Sequence, residues 1–227
     1  MMKEGKHVKH FGVNLIKKKY SFYLTREEFA LINTKPSLPI FKELIDKNAY
    51  IDDIGSEYKK EWCEEYRELC LKNYDLNMKY FKSLNKTDFE NAITNFLNKY
   101  KGFRSVENLS DFDGICGYYI MVLDKYKQVY IGKSENIKRR ILSHWSSTKA
   151  FDRTLFPMYA VETSCFSIDF FRALDTTRIF VWERELSDGI ESKLVKDFPK
   201  KYCTNRIGGD ASTAIEALIT LNMRNLK

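Results

Sequence analysis

The sequence predicts an α+β protein. A mainly helical region, residues 1–110, precedes a small, mainly antiparallel sheet flanked by helices, residues 111–227. Three observations predict it. Apolar residues in the first part step by three or four positions, as in Tyr58, Trp62, Tyr66 and Leu69, the period of an amphipathic helix. After position 114 the pattern changes to short runs rich in β-branched and aromatic residues, "YYIMVLD" (118–124) and "QVYIGK" (128–133). Hydrophobic residues make up 44% of the 227 positions, enough for a chain of this size to bury a core.

The elements follow in order. "FGVNLIKKKYSFYL" (11–24) reads as extended. Thr25-Arg26-Glu27-Glu28 fits a capping box, with Phe29 and Ile32 on one face of the helix it opens. "KPSLP" (35–39) breaks whatever precedes it. From Tyr58 a long helix follows, on which Cys63 and Cys70 read as packing thiols. Thr87-Asp88-Phe89-Glu90 is a second capping box, continued by Ile93, Phe96, Leu97 and Tyr100. "SVENLSDFDG" (105–114) is the junction. The two β-rich runs then form a hairpin, and Ser134 caps a helix whose Ile137, Ile141 and Trp145 recur every four residues. "FSIDFFRAL" (166–174) and "RIFVWE" (178–183) flank Asp175-Thr176-Thr177 as a second hairpin. Leu186, Ile190, Leu194 and Val195 mark a helix that must stop before Pro199, and residues 208–227 have room for one more.

Composition excludes several classes. There is no apolar run of about 18 residues, so no membrane span is expected. The lysine-rich N-terminus lacks a signal-peptide pattern, which places the protein in the cytoplasm. Five cysteines (Cys63, Cys70, Cys116, Cys165, Cys203) contain no CxxC pair, so a zinc site or a disulfide framework is not expected. Net charge is +7, and residues 1–20, with six lysines and one glutamate, carry +5 of it. Such an arm can neutralise phosphates and gain affinity from counterion release, or simply remain a solvated tail. His7 and His10 lie in this arm and are assigned no role.

The hairpin and its helix carry the chemical signal. Gly117-Tyr118-Tyr119 and Tyr130-Ile131-Gly132 resemble the two characteristic strands of the GIY-YIG nuclease family. The usual isoleucine of the first triplet is Tyr118 here. Neighbouring side chains on a strand point to opposite faces, so this departure leaves Tyr119 free to face a site. Arg140 follows Tyr130 by ten residues and His144 lies four further on, both on one helix face, as members of the family carry them. "YIGKSENIKRR" also resembles the corresponding stretch of excision-repair members, Lys133 included. "IESKLVKDFPKKYCTN" (190–205) resembles the family's metal-binding segment, with Glu191 as metal ligand and Asn205 closing the module. Glu183 and Glu185 are nearby rivals. The resemblance covers about residues 112–210.

What the resemblance implies is phosphodiester hydrolysis assisted by one divalent cation, magnesium or manganese, held on Glu191. Arg140 would meet the non-bridging phosphate oxygens. Tyr119 would serve as base, its phenol acidified by the metal and nearby cations, with Tyr130 or Lys133 orienting water or phosphate. His144 would move a proton or orient a neighbour. Gly117, Gly132 and Asn205 would support the site. Taken singly, each of these residues has an ordinary reading as packing, solvated surface or ion pair; their joint occurrence in family order outweighs it.

Compact chains with their own N-terminal and internal additions resemble the restriction-type members, so the expected function is a sequence-specific type II restriction-like endonuclease. Its partners would be double-stranded DNA, a second copy of the chain on a palindromic site, and a companion DNA methyltransferase, with no membrane. The long helix from Tyr58 is a candidate dimer contact and the basic arm a candidate groove contact. The alternatives are a homing (mobile-element) or repair-type nuclease of the same family, or a non-cleaving nucleic-acid-binding module.

Overall fold

The chain begins in the described residues as a β-hairpin. In the computed structural model, β1 (His7–His10) pairs antiparallel with β2 (Val13–Ile16). The structure describes residues 7–16, 20–31, 50–51, 57–147, 149–154 and 166–205; the expectations for Ile32, "KPSLP", Cys165 and residues 208–227 lie outside them. Phe11, Val13 and Leu15 pack against the core, so this part of the arm is folded structure. His10, assigned no role from the sequence, is within 2.8 Å of the Thr176 carbonyl oxygen through Nε2.

Helix α1 (Arg26–Phe29) opens as expected: the Thr25 hydroxyl accepts from the Glu28 N–H. The Glu28 carboxylate turns instead to the Ser21 backbone and hydroxyl. The two-residue strands β3 (Tyr50–Ile51) and β4 (Glu57–Tyr58) pair ahead of α2 (Lys60–Ser83). Of the predicted stripe, Tyr66 is buried and Tyr58 and Trp62 pack against the core, but Tyr58 belongs to β4 and Leu69 is 47% exposed. The buried face follows Cys63, Tyr66, Cys70, Asn73, Asn77 and Phe81. Both cysteines are free and buried, as packing thiols should be. Helix α3 (Lys86–Lys99) is capped by Asn85, which accepts from the Asp88 N–H at 3.0 Å, two residues before the predicted Thr87. Its stripe of Phe89, Ile93 and Phe96 is buried as expected.

Strand β5 (Arg104–Ser105) leads to the central sheet. Strands β6 (Gly117–Leu123) and β7 (Gln128–Ser134) form the predicted hairpin. Helix α4 (Ile137–Ser146) follows, then β8 (Arg178–Glu183) and α5 (Ile190–Asp197). The sheet order is β5-β8-β6-β7, with every neighbouring pair antiparallel. All seven residues of β6 are buried because both sheet faces are covered, which explains why "GYYIMVL" is an apolar run without a polar alternation. On one face Tyr119, Met121, Leu123, Ile179 and Val181 join a core with α2, α4 and the aromatic residues Phe166, Phe170 and Phe171. On the other, Tyr118, Ile120, Val122, Val129 and Ile131 pack with residues of α3 and α5. The chain before residue 110 thus supplies strands as well as helices, and contributes to both cores.

The second hairpin is not formed. Residues 166–174 make 3₁₀ turns at Ile168–Phe170 and Ala173–Asp175, and β8 pairs with β5 and β6 instead. Both edges of β8 are therefore taken, leaving no ladder for the preceding segment to join. Asp175 holds that segment in turns by accepting from the backbone of Leu24 (2.7 Å) and Arg172 (2.9 Å) and from the Tyr126 hydroxyl (2.9 Å). Leu186 lies outside α5 and is exposed. Among the described residues no helix is long and apolar enough to cross a membrane.

Candidate active site

Two glycines shape the strands that carry the tyrosines. A Cβ on Gly132 would lie 2.6 Å from the ring carbon and the hydroxyl of Tyr119, so the phenol can lie over β7 only where there is no side chain. Gly117, at φ +153, passes so close to β8 that a Cβ would meet the Trp182 carbonyl oxygen at 2.3 Å. Strand alternation then separates the two phenols of the first triplet. The Tyr118 hydroxyl faces Ser187 on the other side of the sheet, accepting from its N–H at 2.9 Å, while Tyr119 points toward α4.

Helix α4 is held by Ile137 and Ile141, both fully buried, and by Trp145, worth about 1.5–3 kcal/mol each in apolar burial. Its N-cap is Asn136, which accepts from the Arg139 N–H at 2.9 Å; Ser134 ends β7 and braces that cap from behind. Anchored this way, the helix presents His144 to the sheet, with Nε2 2.9 Å from the Tyr119 hydroxyl. The Tyr130 ring lies edge-on to the same imidazole, with centroids 5.0 Å apart. The Arg140 guanidinium is close enough for its positive charge to favour ionisation of both phenols.

Glu191 occupies the first turn of α5, where its carboxylate lies 3.7 Å from the Lys133 ammonium and close enough to both phenols to oppose their ionisation. The rival Glu183 ends the interior strand β8 opposite Gly117 and pairs with Arg104, and Glu185 is exposed in the loop before α5. Asn205 has the structural role expected of it. Its Oδ1 accepts from the Ile131 N–H at 2.8 Å and its Nδ2 donates to the Ile131 carbonyl, so a side-chain amide replaces a neighbouring strand beside Gly132. Thr204 adds a backbone bond to Val129, closing the outer edge of β7. Tyr119, Tyr130, Gly132, Arg140 and His144 thus meet on one face of the sheet, whereas strand alternation sets Lys133, the register partner of Tyr118, toward the other face, where it pairs with Glu191 of α5.

Burial pushes the Tyr119 phenol well above its usual range, and the neighbouring Tyr130 adds to this; Arg140 offsets only part of it. Tyr130 is also raised, again chiefly by burial. Burial therefore favours the protonated phenol, and for Tyr119 to act as a base its proton needs an acceptor. The structure supplies one that the sequence reading missed in part: behind His144, Nδ1 lies 2.7 Å from Asp169 Oδ1, and Lys149 stands 3.4 Å from Asp169 Oδ2. The one sequence signal for Asp169 is a single acid within the aromatic stretch "FSIDFF".

These raised phenols make an alkaline prediction. A group raised on folding contributes stability that is complete below the unfolded value, about 10 for tyrosine, and lost as pH rises beyond it. Tyr119, Tyr126 and Tyr130 are all pushed up chiefly by burial. On alkaline titration the tyrosinate absorbance of these three of the 14 tyrosines should appear only together with loss of near-UV circular dichroism. A titration that reaches full amplitude while the dichroism persists contradicts it.

Among the described residues no group of three or more His, Cys, Asp or Glu side chains is placed to hold a metal. That donor set does not suit zinc. A single carboxylate, Glu191, with water and phosphate oxygens completing the shell, does fit magnesium or manganese, which are commonly held by one or two carboxylates. Compared with models of known protein families, with curated proteins and with solved structures, the chain finds no match.

Proposed function

We propose that the protein is a metal-dependent DNA endonuclease of the GIY-YIG type, hydrolysing phosphodiester bonds, with type II restriction-like cutting as its particular role. The observation that carries this reading is the convergence of Tyr119, Tyr130, Arg140 and His144 on one sheet face, with Glu191, paired to Lys133, near enough for its charge to act on both phenols. A hydrolytic site needs a base, a phosphate-charge stabiliser and a carboxylate for a cation, and these groups can fill all three places.

In this reading the attacking water gives its proton to the Tyr119 oxygen as the phenol passes its own to Nε2 of His144. Arg140 and Lys133 receive the charge that grows on the non-bridging oxygens as the bond to the leaving oxygen breaks. Magnesium or manganese, when bound at Glu191, supplies Lewis-acid polarisation of the phosphate. The substrate is double-stranded DNA. Each copy of such a site cuts one strand, so a double-strand break calls for a homodimer on a two-fold symmetric sequence. A restriction role calls for a companion DNA methyltransferase, which homing or repair nucleases do not need. Residues 1–20 carry +5, of which Lys9 lies on the folded β1–β2 hairpin, and an arm so charged can neutralise phosphates.

Incubation of supercoiled plasmid with the purified chain should give nicked and linear DNA with magnesium or manganese and none with EDTA. Gel shifts that persist in EDTA without any nicking in metal would instead make the protein a non-cleaving binding module.

A further inference from the structure

We infer that Asp169 is a positioning residue that selects the His144 tautomer whose Nε2 lone pair accepts the Tyr119 hydroxyl proton. Its catalytic consequence rests on the nuclease reading above; the tautomer itself does not.

The inference follows from counting donors and acceptors along one line of buried groups. Asp169 lies in the 3₁₀ turn Ile168–Phe170 and its carboxyl is held below the usual range: burial opposes this, but His144 and Lys149 outweigh it. An ionised carboxylate can only accept. Its Oδ1 faces His144 Nδ1 at 2.7 Å, so that nitrogen carries the hydrogen. In a neutral imidazole the other nitrogen is then an acceptor. Nε2 faces the Tyr119 hydroxyl at 2.9 Å, and an acceptor at that distance takes the phenol's hydrogen. The phenol's single hydrogen therefore points to Nε2. Lys149, 3.4 Å from Oδ2, holds the carboxylate from its second side. The opposite tautomer would set two donors, the phenol and Nε2–H, to compete at Tyr119, and would leave Nδ1 and the carboxylate as two facing acceptors. Residue 144 is 98% buried at its side chain, so water cannot readily relieve either clash.

The arrangement also explains why a raised phenol can work as a base: the proton leaves Tyr119 for a nitrogen that already faces it, and the imidazolium formed sits against the Asp169 carboxylate.

The test begins without DNA or metal. Long-range ¹H–¹⁵N correlation spectra of histidine-labelled protein contain three imidazoles, and H144Q assigns the relevant one. Near neutral pH, His144 should be protonated at Nδ1 and bare at Nε2. In D169N, whose side-chain amide can donate to Nδ1, the proton should move to Nε2, whereas D169E should keep the wild-type pattern. On plasmid, D169N should nick about 10- to 100-fold more slowly with gel-shift affinity unchanged, the size of loss typical of a partner that orients a reacting group. Wild-type His144 protonated at Nε2 alone, a D169N tautomer like the wild type, or D169N cutting at the wild-type rate would each overturn the inference. If the wild type cuts no DNA at all, the nuclease reading falls and the spectra decide the Asp169 assignment alone. Should D169N fail to fold, a tautomer in D169E unlike the wild type overturns it.

Discussion

Replacing Arg140 or Glu191 with alanine is expected to abolish DNA cleavage while leaving the protein folded and able to bind DNA. Loss of one preorganised charge stabiliser typically costs about 10²–10³ in rate, roughly 3–4 kcal/mol in the barrier. Arg140→Ala should reach that range, and Glu191→Ala, which removes the proposed metal carboxylate, should equal or exceed it. The effect on stability is expected to be far smaller. The Lys133–Glu191 pair is 3.7 Å apart with side chains 42% and 28% exposed, and such pairs contribute about 0–1 kcal/mol. Arg140 likewise lies on the exposed side of α4, whose anchoring comes from Ile137, Ile141 and Trp145. Melting temperatures, gel shifts and plasmid nicking measured on the same preparations separate these effects. Cleavage near the wild-type rate in either variant removes that residue from the site.

The largest loss of stability is expected from a residue with no place in the proposed chemistry. Asp175 is 1% exposed and its two oxygens accept from the Leu24 and Arg172 N–H groups and the Tyr126 hydroxyl. Asp175→Ala strands three buried donors, each costing about 1–3 kcal/mol when unsatisfied, for a total of about 3–5 kcal/mol after relaxation. A chain of 227 residues should then lose roughly 6–20 °C in melting temperature. Asp175→Asn keeps one acceptor oxygen and should lose less. A shift of only a degree or two for Asp175→Ala would mean that these donors find other partners. The prediction matters to the site because the turns Asp175 organises include Asp169 and pack on α4.

Local features of the site were legible in the order of residues. Gly117, Tyr119, Tyr130 and Gly132 could be read from a hairpin because period-two alternation follows from strand geometry alone, and the structure keeps it, with Tyr118 on one face and Tyr119 on the other. The i,i+4 spacing of Arg140 and His144 likewise followed from helix geometry, and the buried Ile137–Ile141–Trp145 face from its period. Helix starts were less legible. At α3 and α4 an asparagine took the cap ahead of or behind the expected residue, Asn85 before Thr87 and Asn136 after Ser134, because any short polar side chain that reaches the N2 or N3 amide can serve.

The errors share a cause. "FSIDFFRAL" has strand-like residues, but a strand forms only where a neighbour offers a ladder, and β8 was already paired on both edges. Tyr119 was expected to be acidified by a bound metal and nearby cations; burial acts against that, and how deeply a phenol is buried is something no spacing reveals. Asp169 went unnoticed because it is 25 residues from His144 and meets it only through a turn.

By itself the sequence determined the class of fold, the β6–β7 hairpin with its glycines, and the helix that aims Arg140 and His144, since all of these arise from local periodicity and backbone sterics. Tertiary structure alone decided the pairing of β8 with β5 and β6, the folding of the β1–β2 hairpin against the core, the raised phenols, and the Asp169–His144–Tyr119 line. These depend on which distant groups are brought together and how much water is removed between them, quantities set by packing and not by neighbours along the chain.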